Sequence, residues 1–480
     1  MPMSGNDLSR RGFLSLCGKA GLSGLALAAG ARPAPGGAAA GRRLNLIFIL
    51  ADDLGYGDVG CYGQKMIRTP CVDRMAAEGM RFTDFYAGGT VCIPSRCSLM
   101  TGLHGGHMRL RSNNHRPLLA EDVTIAECLR AAGYATGAIG KWALGDDPAG
   151  TGAPHKQGWD YYFGEPNQTI VHSYYLPHLW EFDNTGQVSG LPPDKEMRQV
   201  PCPGNAGGAR KDYSHDRLTE KALAFIDARK DVPFFLYIPY TIPHADFEVP
   251  SIEPYANQSW PETEKIYAAM VTRMDADIGK ILERLKRHGI DENTLVIFSS
   301  DNGPTNGKDH SLKFFSSAGP FRGNKGNLYE GGIRAPLVAR WPGRIAAGSV
   351  SALPGASCDM FPTFADLAGA APPANLDGVS LVPTLTGRGE QKRCDYLYWE
   401  FGGAQALRMD RFKALRQKAG GPVELYDLEA DIGETRDVAA ANPEVVARAD
   451  RFFKEAHTDD PYAGQGGTKG TKAKKEEREK

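Results

Sequence analysis

Net charge is the first thing this sequence lacks: 56 Lys and Arg stand against 57 Asp and Glu in 480 residues, a formal charge of −1. That balance leaves no bulk field with which to gather nucleic acid or another polyanion, and no nucleic-acid partner is expected. Beyond the N-terminal leader described below, no apolar run approaches the ~20 residues of a membrane-spanning helix. No membrane association is therefore expected once that leader has gone. Cys-x-x-Cys pairs and Cys/His clusters of the kind that suggest zinc are missing. No internal repeat is present.

What remains describes a loop-rich globular chain, 41% hydrophobic with 57 Gly and 32 Pro, long enough for one large domain and a smaller one. Residues 1–40 read as a leader. Ser9-Arg10-Arg11-Gly12-Phe13-Leu14 is a twin-arginine pattern, Ala20 to Ala31 a weakly apolar run, and Ala38-Ala39-Ala40 a small-residue cleavage site. The expectation is export by the twin-arginine route, to the periplasm or beyond. Cys17 precedes the apolar run instead of following it, which argues against a lipoprotein site. The large domain is expected over 43–387, a smaller α+β unit over 388–462 after a composition shift near Gly387, and a disordered charged tail over 463–480. Of nine cysteines, Cys17 leaves with the leader and Cys92 is treated below; the other seven are odd in number, so at least one stays unpaired within the chain. Export permits a Cys61–Cys71 disulfide, which nothing in the sequence establishes.

Three apolar runs of strand length end in polar residues with chemical potential. Residues 44–50 run into Asp52-Asp53-Leu54-Gly55-Tyr56-Gly57, residues 234–240 precede Pro243-His244, and Thr294–Ser300 ends in Asp301-Asn302-Gly303. Two adjacent carboxylates at the end of a buried strand are costly unless something neutralises them. Open α/β sheets place ligands at that end, and a hard divalent cation is the natural partner. A further strand is expected over 134–139, and short strands over 396–401, 405–409, 412–416 and 423–426. Helices are expected over 123–133, where Thr124 and Glu127 form a capping box and Gly133 ends the run, and over 216–229, 262–288, 359–369 and 443–456. The segment 183–213, rich in Pro, Gly and charge, reads as a loop at a pocket mouth or on the surface. Strands alternating with helices, with polar residues at strand ends, argue for an α/β sandwich.

Between these strands lies Val91-Cys92-Ile93-Pro94-Ser95-Arg96-Cys97-Ser98-Leu99-Met100-Thr101-Gly102. Pro94 suits a first helical turn, where its missing N–H would be unsatisfied anyway. A helix N-terminus, favourable to anions, then faces Cys92, and Arg96 is a fixed cation close by. The Cys-x-Pro-Ser-Arg core, with the apolar run and Thr-Gly after it, resembles the signature of the formylglycine-dependent (type I) sulfatases, arylsulfatase A-like and of the bacterial exported kind. The resemblance covers roughly 43–460 in ordered motifs. It implies the alkaline-phosphatase-like fold: a large mixed sheet between helices, then a smaller C-terminal antiparallel sheet carrying one helix. It also implies that a formylglycine-generating maturation enzyme oxidises Cys92 to Cα-formylglycine. Hydrated to a geminal diol, that group attacks through one hydroxyl and expels sulfate by re-forming the aldehyde with the other, a release step that a thiol would lack.

The resemblance assigns further roles. Asp52, Asp53, Asp301, Asn302 and the modified Cys92 would give one ion an all-oxygen shell, suited to Ca2+ or Mg2+ and not to zinc. Gly140-Lys141-Trp142-Ala143-Leu144-Gly145 stands where relatives commonly read Gly-Lys-Trp-His-Leu-Gly. Lys141 matches the lysine that contacts formylglycine and sulfate, whereas Ala143 replaces a His that helps deprotonate the hydroxyl. The segment 167–175 resembles a branch with a small residue at that position, and His172 is the candidate replacement. Pro243-His244 matches the general acid. Phe321-Arg322-Gly323-Asn324-Lys325-Gly326 opens the family's second long signature, with Lys325 expected to bind a sulfate oxygen and assist the leaving group. Arg96, Lys141, Lys325 and the ion would stabilise the sulfuryl oxygens. The activity implied is hydrolysis of a sulfate monoester on a small molecule or saccharide, with galactose or N-acetylgalactosamine sulfate suggested by the branch. Two other readings exist. A phosphatase or phosphodiesterase of the same fold would offer Ser or Thr as nucleophile and ligands for a second metal. A non-catalytic sulfoglycan-binding protein is suggested by Ala143 and opposed by the presence of the other site residues.

Overall fold

The computed structural model describes residues 43–307 and 309–459; the expected leader and charged tail lie outside them. Ten strands form one sheet: β1 (Asn45–Ala51), β2 (Met80–Phe82), β4 (Ala135–Lys141), β5 (Tyr161–Glu165), β6 (His178–Asp183), β7 (Arg198–Pro201), β8 (Phe234–Pro239), β9 (Thr294–Ser300), β10 (Leu337–Arg340) and β11 (Ser349–Ser351). Their order is β11-β2-β10-β9-β1-β8-β4-β5-β6-β7, and the central run β9-β1-β8-β4-β5 is parallel. β3 (Phe85–Tyr86) pairs separately with β12 (Gly355–Ala356). The chain ends in an antiparallel sheet of β13 (Leu397–Phe401), β14 (Ala404–Met409), β15 (Phe412–Arg416) and β16 (Glu424–Asp427). The architecture is thus the expected one, a large mixed sheet and a smaller antiparallel one.

Helices cover both faces of the large sheet, and strand alternation shows why. Ile47 and Ile49 of β1 enter one core cluster with residues of α1 (Pro70–Glu78), α4 (Ser214–Arg229) and α5 (Glu262–Arg287). Leu46, Phe48 and Leu50 enter the other, with α2 (Cys92–Thr101), α3 (Ile125–Ala131) and α6 (Met360–Ala368). A strand apolar on both sides must be covered on both sides. The Thr124–Glu127 capping box begins α3 as expected: Thr124 Oγ1 accepts the Glu127 N–H at 3.2 Å and Glu127 accepts the Thr124 N–H at 3.0 Å. α7 (Pro443–Glu455) packs on the small sheet through Ala449, Phe452 and Phe453.

The small sheet is joined to the large one by apolar and ionic contacts. Leu397, Trp399, Ala406 and Leu415 share a cluster with Tyr86, Leu328 and Ile333. At its edge the wholly buried Lys413 lies 2.9 Å from Glu330 and 3.4 Å from Glu434, and Arg334 lies 2.7 Å from the same Glu330.

The structure corrects one detail and answers a pairing question that the sequence leaves open. The segment 183–213 is not all loop, because Arg198–Pro201 pairs with β6 as an edge strand. Its Arg-Gln-Val-Pro sequence has no apolar alternation, and a half-exposed edge strand needs none. Cys61 and Cys71 are free thiols. Cys71 is turned toward α5, where a side chain on Gly279 would meet its sulfur at 2.7 Å.

Candidate active site

Four neighbouring parallel strands deliver the site. β9, β1, β8 and β4 stand side by side, and their C-terminal ends lead into Asp301-Asn302, Asp52-Asp53, His244 and Lys141 respectively. Helix α2 supplies Cys92 as its first residue and Arg96 one turn on. Its N-terminus has no side-chain cap of its own; Asn113 Oδ1 accepts the Ile93 N–H at 3.0 Å from outside. The Lys325 loop is fastened by backbone bonds to both partners, with Lys325 N–H donating to Pro304 O and Gly326 N–H to Thr90 O, each at 2.9 Å. It also needs Gly303, where any Cβ would lie 1.9 Å from Gly331 O.

Each buried carboxylate meets a cation, and Asp52 a second at 3.5 Å in Arg96. Lys141 Nζ is 2.6 Å from Asp52 Oδ2, Lys325 Nζ is 2.8 Å from Asp53, and Arg96 donates through Nε and Nη2 to Asp301 Oδ2 at 3.1 and 2.9 Å. Arg96 is fixed further by donating to Lys141 O at 2.9 Å. All three carboxylates and Arg96 are at most 1% exposed. Burial would raise the Asp52 carboxyl, but Lys141 and Arg96 outweigh it and hold Asp52 well below the usual range.

Cys92 Sγ lies 3.3 Å from Asp52 Oδ1 and 3.6 Å from Lys325 Nζ. Burial, then the charge of Asp52, push its thiol up to about 12. The unmodified residue is therefore a protonated thiol at neutral pH, donating to Asp52, and not a thiolate nucleophile.

Two imidazoles complete the group. His172 Nε2 accepts from Lys141 Nζ at 3.0 Å, and His244 Nε2 lies 3.2 Å from Lys325 Nζ and 3.4 Å from Asp53 Oδ2. Nδ1 of His244 bonds the Ala245 carbonyl, so its Nε2 carries the lone pair that faces Lys325. Burial, then the charge of Lys141, hold His172 far below the usual imidazole range. Burial likewise lowers His244, against the pull of Asp53 and Asp52. Burial would lower Lys325 too, but the charges of Asp53 and Asp52 raise it. The proton in each His–Lys pair therefore resides on the lysine.

All ten residues singled out in the sequence converge here, including His172 from a distant 3-10 turn (Ile170–His172). Donor atoms of Asp52, Asp53, Cys92 and His244 lie within 4.8 Å of one another; sequence reasoning gave His244 an acid's place and not this proximity to the carboxylates. Asp301 Oδ1 accepts the Asp53 N–H at 3.1 Å, which ties the Asp52-Asp53 and Asp301-Asn302 pairs together. Asn302 Nδ2 donates to Asp53 Oδ1 at 2.7 Å, while its buried Oδ1 has no hydrogen-bond partner. An orphaned carbonyl oxygen beside three buried carboxylates is what a hard divalent cation satisfies, so the residues fit one. Asp52, Asp53, Asp301 and Asn302 would hold it.

Ala143 is 1% exposed and packs in the core beside Trp142 and Leu144. Its backbone is in the left-handed region, φ 62°. Sequence reasoning overlooked Asn113, which no motif marks.

Comparison with known proteins agrees with this geometry. The family model described as Sulfatase matches residues 44–370, and the model described as N-sulphoglucosamine sulphohydrolase, C-terminal, matches residues 322–454. The chain is 34% identical to arylsulfatase A of Homo sapiens over 462 residues, covering 85% of this chain and 87% of that one. It is 32% identical to N-acetylgalactosamine-6-sulfatase of Mus musculus, covering 82% and 74%. Among solved structures, Ps i-CgsB in complex with k-i-k-neocarrahexaose superposes with a TM-score of 0.71 at 30% identity, covering 88% of this chain and 94% of that one.

Proposed function

The chain belongs to the sulfatase family and is an enzyme that hydrolyses sulfate esters; from that premise we propose that its substrate is a sulfated saccharide and that Cys92 acts as formylglycine. The observation that carries the reading is the placement of Cys92 between Asp52 and Lys325 at the start of a buried helix. A free thiol there is neither ionised nor exposed, whereas a hydrated aldehyde offers a hydroxyl that attacks sulfur and a second that expels sulfate.

The other residues take roles from what they touch. Lys325 and Lys141 flank the nucleophile and bind sulfuryl oxygens, moving off Asp53 and Asp52 as the anion arrives. Arg96, locked on Asp301, adds a fixed charge. The Lys325–His244 pair delivers the proton to the departing oxygen, because Lys325 holds it and His244 Nε2 can receive and pass it at 3.2 Å. The Lys141–His172 pair, its mirror at 3.0 Å, takes the proton of the remaining hydroxyl in place of the His absent at Ala143: His172 Nε2, vacated as Lys141 turns to sulfate, receives it, and the C–O bond to sulfate breaks as the aldehyde re-forms. A Ca2+ or Mg2+ ion bound by Asp52, Asp53, Asp301 and Asn302 supplies positive charge to the same oxygens.

Support for a saccharide comes from relatives: one is named for N-acetylgalactosamine 6-sulfate, and a structural neighbour was solved with a neocarrahexaose. The twin-arginine pattern of residues 9–14 supports export to the periplasm or beyond. The test is sulfate release by matured, metal-loaded protein from a panel of sulfated galactose, N-acetylgalactosamine and carrageenan-type oligosaccharides. Release from saccharides at rates above those for small aryl sulfates is expected. Turnover of aryl sulfates alone would overturn the saccharide assignment.

A further inference from the structure

A second convergence of donors lies at the opposite end of the helix that bears Cys92. His104 and His107 sit in the loop that leaves α2, and Asp377 in a loop that approaches from elsewhere in the chain; one donor atom from each lies within 4.8 Å of the others. The 377 loop is pinned in place. Asp377 N–H donates to Gly102 O at 3.0 Å, Gly378 N–H to the same oxygen at 3.4 Å, and Cys394 Sγ to Asp377 O at 3.6 Å.

The donors are arranged as ligands are. His107 Nδ1 lies 2.8 Å from Asp377 Oδ1, and the rings of His104 and His107 stack with centroids 4.3 Å apart. His104 Nδ1 accepts the Gly106 N–H at 3.2 Å, so this nitrogen carries a lone pair. Yet it faces Asp377 Oδ2 at 3.7 Å. Asp377 Oδ2 also accepts the His104 backbone N–H at 2.9 Å, and a cation bound here would replace the two N–H groups as the partner of these acceptors. Beside them is a cavity of about 10 Å³ lined by His104, Asp377, Cys358, Cys394, Tyr396 and Tyr398, roughly the room one water needs.

We propose that His104, His107 and Asp377 form a second divalent-metal site, for zinc or a similar late first-row ion, that clasps the end of the Cys92 helix to the 377 loop. Two imidazoles and a carboxylate suit such an ion, and a water in the adjoining cavity completes four-coordination. The site is distinct in donor chemistry from the active site, so the two sort their metals: a hard ion goes to the oxygens, zinc to the imidazoles. Its work is structural. It ties the helix bearing Cys92 to a loop that Cys394, next to the small sheet, also holds.

The test uses full-length protein stripped with chelator, then given excess Ca2+ to fill the oxygen-rich site, then Zn2+ or Co2+. Zn2+ should raise the melting temperature of the wild type by several degrees and leave His107→Ala and Asp377→Asn unmoved. Co2+ should give the intense visible bands of a four-coordinate imidazole site in the wild type, lost in both variants. Should His107→Ala fail to fold, His107→Gln keeps a polar side chain there and is read in the same way. Equal Zn2+ shifts in wild type and variants, or only the weak bands of six-coordinate cobalt in the wild type, would overturn the proposal.

Discussion

The imidazoles of His172 and His244 lie face to face, ring centroids 3.6 Å apart and planes 8° from parallel. Each caps a lysine, Lys141 or Lys325, and each lysine rests on one of the neighbouring carboxylates Asp52 and Asp53. The site is therefore two copies of one device, a carboxylate, a lysine and a histidine in series. Parallel charged rings at this spacing would repel, so the stack favours neutral imidazoles, with the protons on the lysines.

If the Lys141–His172 arm releases sulfate, His172→Ala should slow turnover by a factor of order 10²–10⁴. A burst of alcohol product would then precede a slow steady state. Ala143→His should restore part of the rate, since the left-handed backbone at 143 (φ 62°) is one that histidine adopts more readily than most residues. Rapid-quench kinetics decides the matter: unchanged turnover without a burst excludes His172 as the base, and weaker binding with normal saturated turnover makes it a substrate contact.

Asp301→Ala removes a proposed metal ligand and strips Arg96 of its bidentate partner. Activity should fall below detection, and stability should drop by about 3–5 kcal/mol, the usual result of leaving a buried charge alone. Calcium or magnesium should rescue chelator-treated wild type but not the variant. Full turnover by metal-free wild type would refute the ion's part.

Peptide mass spectrometry of active protein should find formylglycine at position 92, and Cys92→Ala should be inactive with its fold intact by circular dichroism. Active protein carrying only the thiol would contradict the nucleophile assignment.

Lys413→Met would leave Glu330 and Glu434 without their shared cation in a site that is 0% exposed. A loss of roughly 3–5 kcal/mol in unfolding free energy is expected, measurable in urea. Because Glu330 lies in the same segment as Lys325, kcat should fall as well. A double variant with Glu434→Gln should recover some of the stability; no recovery would mean that the two charges do not couple.

Much of this was legible in the chain itself. Strands whose residues are apolar on both faces announce a sheet covered on both sides, and carboxylates at their ends announce a cation. The order β9-β1-β8-β4 was not legible, since strand adjacency depends on contacts hundreds of residues apart. Nor could spacing show that His172 reaches Lys141, because a 3-10 turn has no periodic signature. β7 escaped for the opposite reason to β1: a half-exposed edge strand carries no alternation. The His104–His107–Asp377 group was missed because its third member lies 270 residues from His107.

Every residue of Cys92–Thr101 is buried, and Cys92 itself is 0% exposed. The consequence is one of timing. Once the sheet and its helices have closed, no second protein can reach the sulfur. If Cys92 is converted to formylglycine as proposed, the conversion must win a race against folding, on a chain still open at residue 92. A strain short of the oxidising partner would accumulate a stable, well-folded and inert protein that no later treatment with that partner could awaken, unless it were first unfolded.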